Sequence, residues 1–260
     1  MNQLHYLPEG VVRELLFEIA NQGKPRIAKS DPDPRKRISL ELSNASVGII
    51  NYNKKDYCRL VELLKGKHIV KFLEKEFEER FVKGGVNPGE AWKLGKGFCK
   101  PPDGNEFYYT YSERIWWQWA LIIKVLHNNK NTRKAFMAVW NPKDIDFDGE
   151  KTSLPCTIGF HFFVNDGEVS MNHIMRSLNV WYNLCNDLYL DFLTLRYIAN
   201  KTRMKMGTIG IYASSAHLFE SDMKQIVQMV QCEPMFQIDK FVDIVGFLKQ
   251  RFEELKRRNK

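Results

Sequence analysis

The residues best suited to chemistry lie between Leu154 and Asp187. Pro155-Cys156 precedes a β-patterned run over 157–164, and Asn165-Asp166-Gly167 then supplies a turn. Asn, Asp and Gly tolerate the positive φ that a tight hairpin needs. The chain returns as a second strand over 169–175 and delivers Arg176-Ser177. A hairpin brings its far end back to its beginning, so the spacing predicts the Cys156 thiol beside the Arg176 guanidinium. A cation beside a thiol favours the thiolate, the form that attacks carbon. Taken alone, one cysteine after a proline is more often a small buried hydrophobe. The arginine at the matching offset makes Cys156 the candidate nucleophile.

The elements that must carry this hairpin read as alternating helices and strands. Apolar positions Val11, Val12, Leu15, Leu16 and Ile19 predict a helix over 9–21, closed by Asn21-Gln22-Gly23. A Pro/Asp loop at 30–34 leads through Arg35-Lys36-Arg37 into a strand over 38–42. Residues 56–81 read as helical with a break at Gly66, and Val70, Leu73, Phe77 and Phe81 form its apolar stripe. Residues 83–105, Gly/Pro-rich around Trp92, predict an irregular segment. A helix over 113–127 with Trp116, Trp119, Ile123 and Leu126 inward, a strand over 135–140 and a buried helix over 187–199 complete the centre. A short strand over 208–212 leads into His217, and an amphipathic helix over 242–255 ends the chain. His161 and His173 read as sheet residues.

Composition narrows the function classes. At 260 residues and 44% hydrophobic, the chain can bury a sizeable core, and residues 1–260 are expected to form one domain. No apolar run is long enough to span a bilayer, and Glu9, Arg13, Glu14 and Glu18 interrupt any signal-peptide pattern. A soluble, cytoplasmic protein with no membrane partner is expected. Cys58, Cys99, Cys156, Cys185 and Cys232 form no metal-ligand spacing and no disulfide framework, so no metal is expected. The net charge of +8 is spread along the chain, and its densest run, Lys256 to Lys260, suits a solvated helix end. That spread argues against nucleic acid as partner. The clusters Arg35-Lys36-Arg37 and Arg133-Lys134 better suit a small anionic ligand.

Pro155-Cys156, the Asn165-Asp166-Gly167 turn, Arg176-Ser177 and Ser215-Ala216-His217-Leu218-Phe219 resemble the thymidylate synthase superfamily in order and spacing. Met175-Arg176-Ser177 and Asn186-Asp187 are more similar to its pyrimidine nucleotide hydroxymethylases. The likeness is dense over about 132–222, patchy over 39–119 and absent in roughly the last 35 residues. It implies a single α/β domain whose large mixed β-sheet, packed by helices, pairs with a second copy in a homodimer with shared active sites.

The resemblance also implies roles. Cys156 would add to carbon 6 of a pyrimidine ring, and Arg176 and Ser177 would bind the nucleotide phosphate. Arg133-Lys134 would reach the partner's phosphate, although lysine lacks the bidentate fork of the family's second arginine. Arg35 or Arg37 matches a further phosphate arginine, with a solvated turn as the alternative. Glu76, with Glu74, Glu78 and Glu79 as neighbours that could replace it, would organise the active-site water. Asp187 stands where the synthases carry asparagine. A carboxylate accepts from the cytosine amino group and is repelled by the uracil carbonyl; the alternative is a charge complementing a helix N-terminus. His217 would approach the sugar, and Phe219 replaces the usual tyrosine there. Trp92 and Asn179 are carried as cofactor contacts, Asn179 replacing the aspartate that binds folate, and Asn183 replaces a glycine.

Together these imply a cytidylate (CMP or dCMP) 5-hydroxymethyltransferase using 5,10-methylenetetrahydrofolate, with water quenching an exocyclic methylene. A thymidylate synthase or uridylate hydroxymethylase is the first alternative. A catalytically silent nucleotide- or RNA-binding relative is the second. Ribose and deoxyribose are not separated by the sequence.

Overall fold

The computed structural model describes residues 4–28, 33–95, 101, 106–145, 154–233, 236 and 239–258. Parts of the expected loop at 30–34 and of the segment 83–105, together with Cys99 and Lys260, lie outside the described residues.

A mixed β-sheet forms the centre. Its strands are β1 (Leu4–His5), β2 (Lys24–Ile27), β3 (Ile38–Ile49), β4 (Phe136–Ala138), β5 (Thr157–Asn165), β6 (Glu168–Met175), β7 (Leu178–Asn179) and β8 (Lys205–Phe219). They run in the order β1-β3-β8-β6-β5-β4, with β2 beside β3 and β7 beside β8. The β3–β8 and β5–β6 pairs are antiparallel, whereas β6–β8 is parallel. The β5–β6 hairpin forms as its turn residues dictate. Asp166 and Gly167 take φ of 51° and 79°, the conformation a two-residue hairpin turn requires.

Strand alternation gives the sheet two different faces. One row of paired residues, Met137, Phe160, His173, Ile211 and Val47, is buried. That face packs against α6 (Leu184–Thr202), whose Leu188, Phe192, Leu195 and Ile198 are fully enclosed. The other face carries Phe136 and Tyr212, 41% and 40% exposed, with the partly exposed His161, Phe163 and Ile174 among them. The expected helix over 187–199 extends at both ends, and the expected strand over 208–212 is part of the longer β8, which β3 pairs from Ile209 to Phe219.

The break at Gly66 separates α2 (Lys54–Lys65) from α3 (Lys67–Glu78), and α3 runs into a π-helical turn, Glu79–Lys83. The expected helix over 113–127 is instead two: α4 (Tyr111–Ile115) and α5 (Gln118–Asn128). Trp116, expected in the core, is 48% exposed and lies against Gly84 and Gly85. The cause is the anchoring of α4. Its Ser112 hydroxyl donates to the Glu79 carbonyl at 2.6 Å, and Arg114 binds Asp144 with two hydrogen bonds of 2.9 and 2.7 Å. These contacts fix the direction of α4 and turn the indole outward. The chain closes with α1 (Pro8–Gln22), α7 (Met223–Cys232) and α8 (Asp239–Arg258); Arg251 of α8 donates to the carbonyls of Ile19, Ala20 and Gly23 at the end of α1.

Asp144 is fully buried, so Arg114 is its compensating charge. Removing one member of such a pair leaves an uncompensated buried ion, at a cost of about 3–5 kcal/mol. Arg114→Met should lower unfolding stability by that amount in urea titration. A loss below about 1 kcal/mol would show that α4 is not held by this pair.

Candidate active site

The hairpin does bring its ends together. The backbone N–H of Arg176 donates to the Cys156 carbonyl at 2.8 Å. Its guanidinium donates to the carbonyls of Pro155 and Leu154 at 2.9 and 3.2 Å and lies 5.8 Å from the Trp140 ring. Cys156 opens onto a cavity of about 510 Å³ between the hairpin, α3, α4 and the first turns of α6. Glu76, Trp92 and Asp187 line the same cavity.

The thiol is less acidic than the spacing suggested. Burial pushes the Cys156 pKa up, and the Arg176 charge opposes that without overcoming it. Asp187 adds to the rise, and Lys36 adds to the fall. The basic run at 35–37 therefore reaches the thiol's field through its middle residue. Arg35 itself is bound to Asp33 by hydrogen bonds of 2.9 Å from Nε and Nη2.

Of the four glutamates at 74–79, the contacts separate the roles. Glu74 binds Lys54 and the Tyr189 hydroxyl, and Glu78 binds Lys75. Glu79 accepts the backbone N–H groups of Glu90 and Ala91 at 2.6 and 3.0 Å, which ties the Trp92 segment to the π-helical turn. Gly89 sits at φ +68° against the Glu79 carboxylate, where a Cβ would collide. Glu76 faces the cavity and takes both Arg80 hydrogen bonds, 2.7 and 3.2 Å, on Oε1. Arg80 in turn lies 4.3 Å from the centroid of Tyr111.

Asp187 occupies the first turn of α6, where a negative charge complements the helix dipole. Its Oδ2 is nevertheless buried without a hydrogen-bond partner. Burial pushes its carboxyl up to about 7, reinforced by Asp191 and Glu76 and opposed by His173 and Arg80. Trp92 Nε1 is likewise buried and unpartnered. One orphaned acceptor and one orphaned donor thus border a space walled by Phe107, Tyr108, Tyr109 and Tyr111. Flat heteroaromatic molecules satisfy both demands, by stacking and by edge hydrogen bonds.

Asn183 and Asn186 also line the cavity, whereas Asn179, His217, Ser177, Arg133 and Lys134 are not part of its wall. Asn179 Oδ1 accepts from the Tyr182 backbone at 2.7 Å. His217 pairs with Glu41 across β3 and β8, with the Phe219 ring centroid 4.8 Å away. Burial pushes the His217 pKa down to about 4, so the ring is neutral near pH 7. Ser177 follows Arg176 on the link to β7, and Arg133 and Lys134 sit on the exposed approach to the edge strand β4.

Arg80, Tyr111, Thr157, His173 and Asp191 line the cavity and were not among the site residues expected from the sequence. His173 carried one available signal. It follows Val169 and Met171 and precedes Met175 on the inward-facing alternation of β6, where a titratable ring needs a partner.

The thymidylate synthase family model matches residues 83–252 and so extends into roughly the last 35 residues, where no resemblance was expected. A protein of Methanococcoides burtonii named "Putative thymidylate synthase" is 30% identical over 135 residues, 50% of this chain and 61% of its own. Proteins of the same name from Methanothermobacter marburgensis and Methanosarcina barkeri are each 28% identical, over 137 and 132 residues. Those matches cover 50% and 48% of this chain and 59% of each relative. The chain therefore spans about three fifths of the length of the curated relatives it matches.

Proposed function

The chain belongs to the thymidylate synthase family, and from that premise we propose that it hydroxymethylates carbon 5 of a cytosine mononucleotide, CMP or dCMP. Residues 1–260 act in this reading as one catalytic unit. The observation that carries it is the unpartnered, buried Oδ2 of Asp187 in the cavity of Cys156. A buried acceptor demands a donor, and the cytosine edge offers its amino group where uracil offers a carbonyl.

The chemistry follows from the ring. Carbon 5 of a pyrimidine is not nucleophilic until aromaticity is broken, and addition of the Cys156 sulfur to carbon 6 breaks it. Asp187 accepts from the amino group and holds the base. Arg176, with Ser177 beside it, binds the phosphate, because a guanidinium and a hydroxyl are strong donors to an oxyanion. Lys36 supplies further positive charge on that side, whereas Arg35 would have to leave Asp33 to reach a phosphate. The cofactor, 5,10-methylenetetrahydrofolate, supplies the one-carbon unit when bound. The aromatic wall and the Trp92 indole suit its flat ring, and Asn179, tied to the Tyr182 backbone, would meet it only from outside the cavity wall. Glu76 then orients a water against the exocyclic methylene left on carbon 5, and elimination of the Cys156 sulfur restores the aromatic ring.

A second reading is a thymidylate synthase or uridylate hydroxymethylase. The name of the archaeal relatives favours it, and so does the carboxyl of Asp187 at about 7. Below that pH the group is protonated and can donate to a uracil carbonyl. Preference for cytosine should therefore rise as pH rises through about 7. Asp187→Asn should shift the kcat/KM ratio of cytosine to uracil nucleotide, at a fixed sugar, by at least about 10²-fold toward uracil. An unmoved ratio would leave Asp187 as a helix-end charge and remove the case for cytosine.

Assembly as a two-fold dimer is part of the proposal. Its support is the uncovered sheet face around Phe136 and Tyr212, bordered by Arg133 and Lys134 at the β4 edge. If those cations complete the neighbour's phosphate site, inactive Cys156→Ser and inactive Arg133→Ala subunits should regain activity on mixing. One site per mixed dimer would then hold both functional residues. Demonstrated subunit exchange with no recovery would rule out shared sites.

A further inference from the structure

Four side chains outside the chemistry above form an unbroken line along the cavity wall. The Tyr111 hydroxyl donates to Thr157 Oγ1 at 3.1 Å, Thr157 Oγ1 lies 2.7 Å from His173 Nε2, and His173 Nδ1 lies 2.9 Å from Asp191 Oδ2. All four residues line the cavity that holds Cys156 and Asp187. The direction of the hydrogens follows from the ends. A carboxylate oxygen of Asp191 accepts from Nδ1 of His173, so that nitrogen carries a hydrogen, and when the ring is neutral its Nε2 accepts from the Thr157 hydroxyl. Thr157 still has a lone pair for Tyr111. Every donor in the line thus points from the cavity toward Asp191.

A buried imidazole in the apolar row of Met137, Phe160, Ile211 and Val47 needs only partners to be tolerated, and Asp191 alone would orient it. The extension through Thr157 to a phenol facing the cavity goes beyond that need. We propose that His173, oriented by Asp191, is the positioning residue that takes up a proton from the cavity through Thr157 and Tyr111. The proposal rests on the reading of the cavity as a site that activates a pyrimidine, since substitution at carbon 5 must expel the hydrogen there as a proton.

The step balances. The carbon 5 proton passes to the Tyr111 oxygen, and the C–H electron pair stays on the ring. The phenol's own proton passes to Thr157 Oγ1, and the Thr157 hydroxyl proton passes to His173 Nε2. One proton has left the ligand and one has arrived on His173, which stays hydrogen-bonded to Asp191. Burial pushes the Tyr111 pKa up, so a free phenoxide there is costly, and a concerted hand-off avoids forming one. Burial would lower the His173 pKa, but Asp191 overrides it and the net shift is upward. Asp187 and Arg80, the other charged groups facing the imidazole, act in opposite directions.

Thr157→Val removes the hydroxyl with little change of shape, Thr157→Ser keeps it, and Asp191→Asn removes the charge that orients the ring. For each variant, kcat and KM would be measured with the cytosine nucleotide and the folate, with thermal unfolding as a check on folding. Nitrogen-15 NMR of the histidine rings would be recorded without ligand. The expected results are a fall in kcat of about 10²–10⁴-fold for Thr157→Val and Asp191→Asn with KM little changed, and recovery of most of it in Thr157→Ser. Recorded at a pH above the upward-shifted pKa of His173, NMR should show the neutral ring protonated at Nδ1 with Nε2 accepting. Thr157→Val turning over as fast as Thr157→Ser, or raising KM alone, would overturn the proposal while leaving the cavity reading intact. A hydrogen on Nε2 of the neutral ring would overturn it without any activity measurement. A wild-type protein that turns over no pyrimidine nucleotide would instead remove the cavity reading, and this proposal with it.

Discussion

The costliest feature of this molecule is the group of charges buried where the first turns of α6 meet the β5–β6 hairpin. Asp187 and Asp191 lie one helical turn apart on α6, both border the Cys156 cavity, and Glu76 and Glu79 add two more carboxyl groups. Four carboxyl groups in one enclosure cannot all ionise without compensation. Arg80 pairs with Glu76, the Glu90 and Ala91 N–H groups donate to Glu79, His173 hydrogen-bonds Asp191, and Asp187 is left with an orphaned oxygen and a carboxyl pushed up to about 7. A core built for stability alone would hold leucine in such a place. A donor from a ligand would satisfy that oxygen.

The surrounding elements hold the group rigid. The π-helical turn presents Arg80 between Glu76 and the Tyr111 ring, and Glu79 pins the segment that carries Trp92. Ser112 and Arg114 fix α4, and hence Tyr111, to the turn and to Asp144. The hairpin closes Arg176 onto the backbone at Cys156. Burial raises the thiol's pKa, and the Arg176 charge opposes that without overcoming it.

The hairpin, its turn and the Cys156–Arg176 approach were legible in sequence because local chemistry dictates them: Asn, Asp and Gly at the turn and two alternating strands of matched length. The helix break at Gly66 was legible for the same reason. His173 and Asp191 were not, because their meaning arises only when a strand and a helix meet and 18 positions separate them. Trp116 misled because helical spacing predicts a stripe but not the tertiary anchors at Ser112 and Arg114 that split the helix. The full length of β8 escaped notice because Ala213, Ser214, Ser215 and Ala216 have weak strand propensity, and pairing with β3 supplies what they lack.

The central claim is that this cavity adds a one-carbon unit to cytosine and completes the reaction with water. The most direct measurement is to incubate the protein with CMP, dCMP or dUMP, methylenetetrahydrofolate and water enriched in heavy oxygen, and to identify the nucleotide product by mass spectrometry. The account predicts a 5-hydroxymethyl cytosine nucleotide carrying the heavy oxygen, with little product from dUMP. A 5-methyl uracil nucleotide without solvent oxygen, or no product from any of the three, would contradict it.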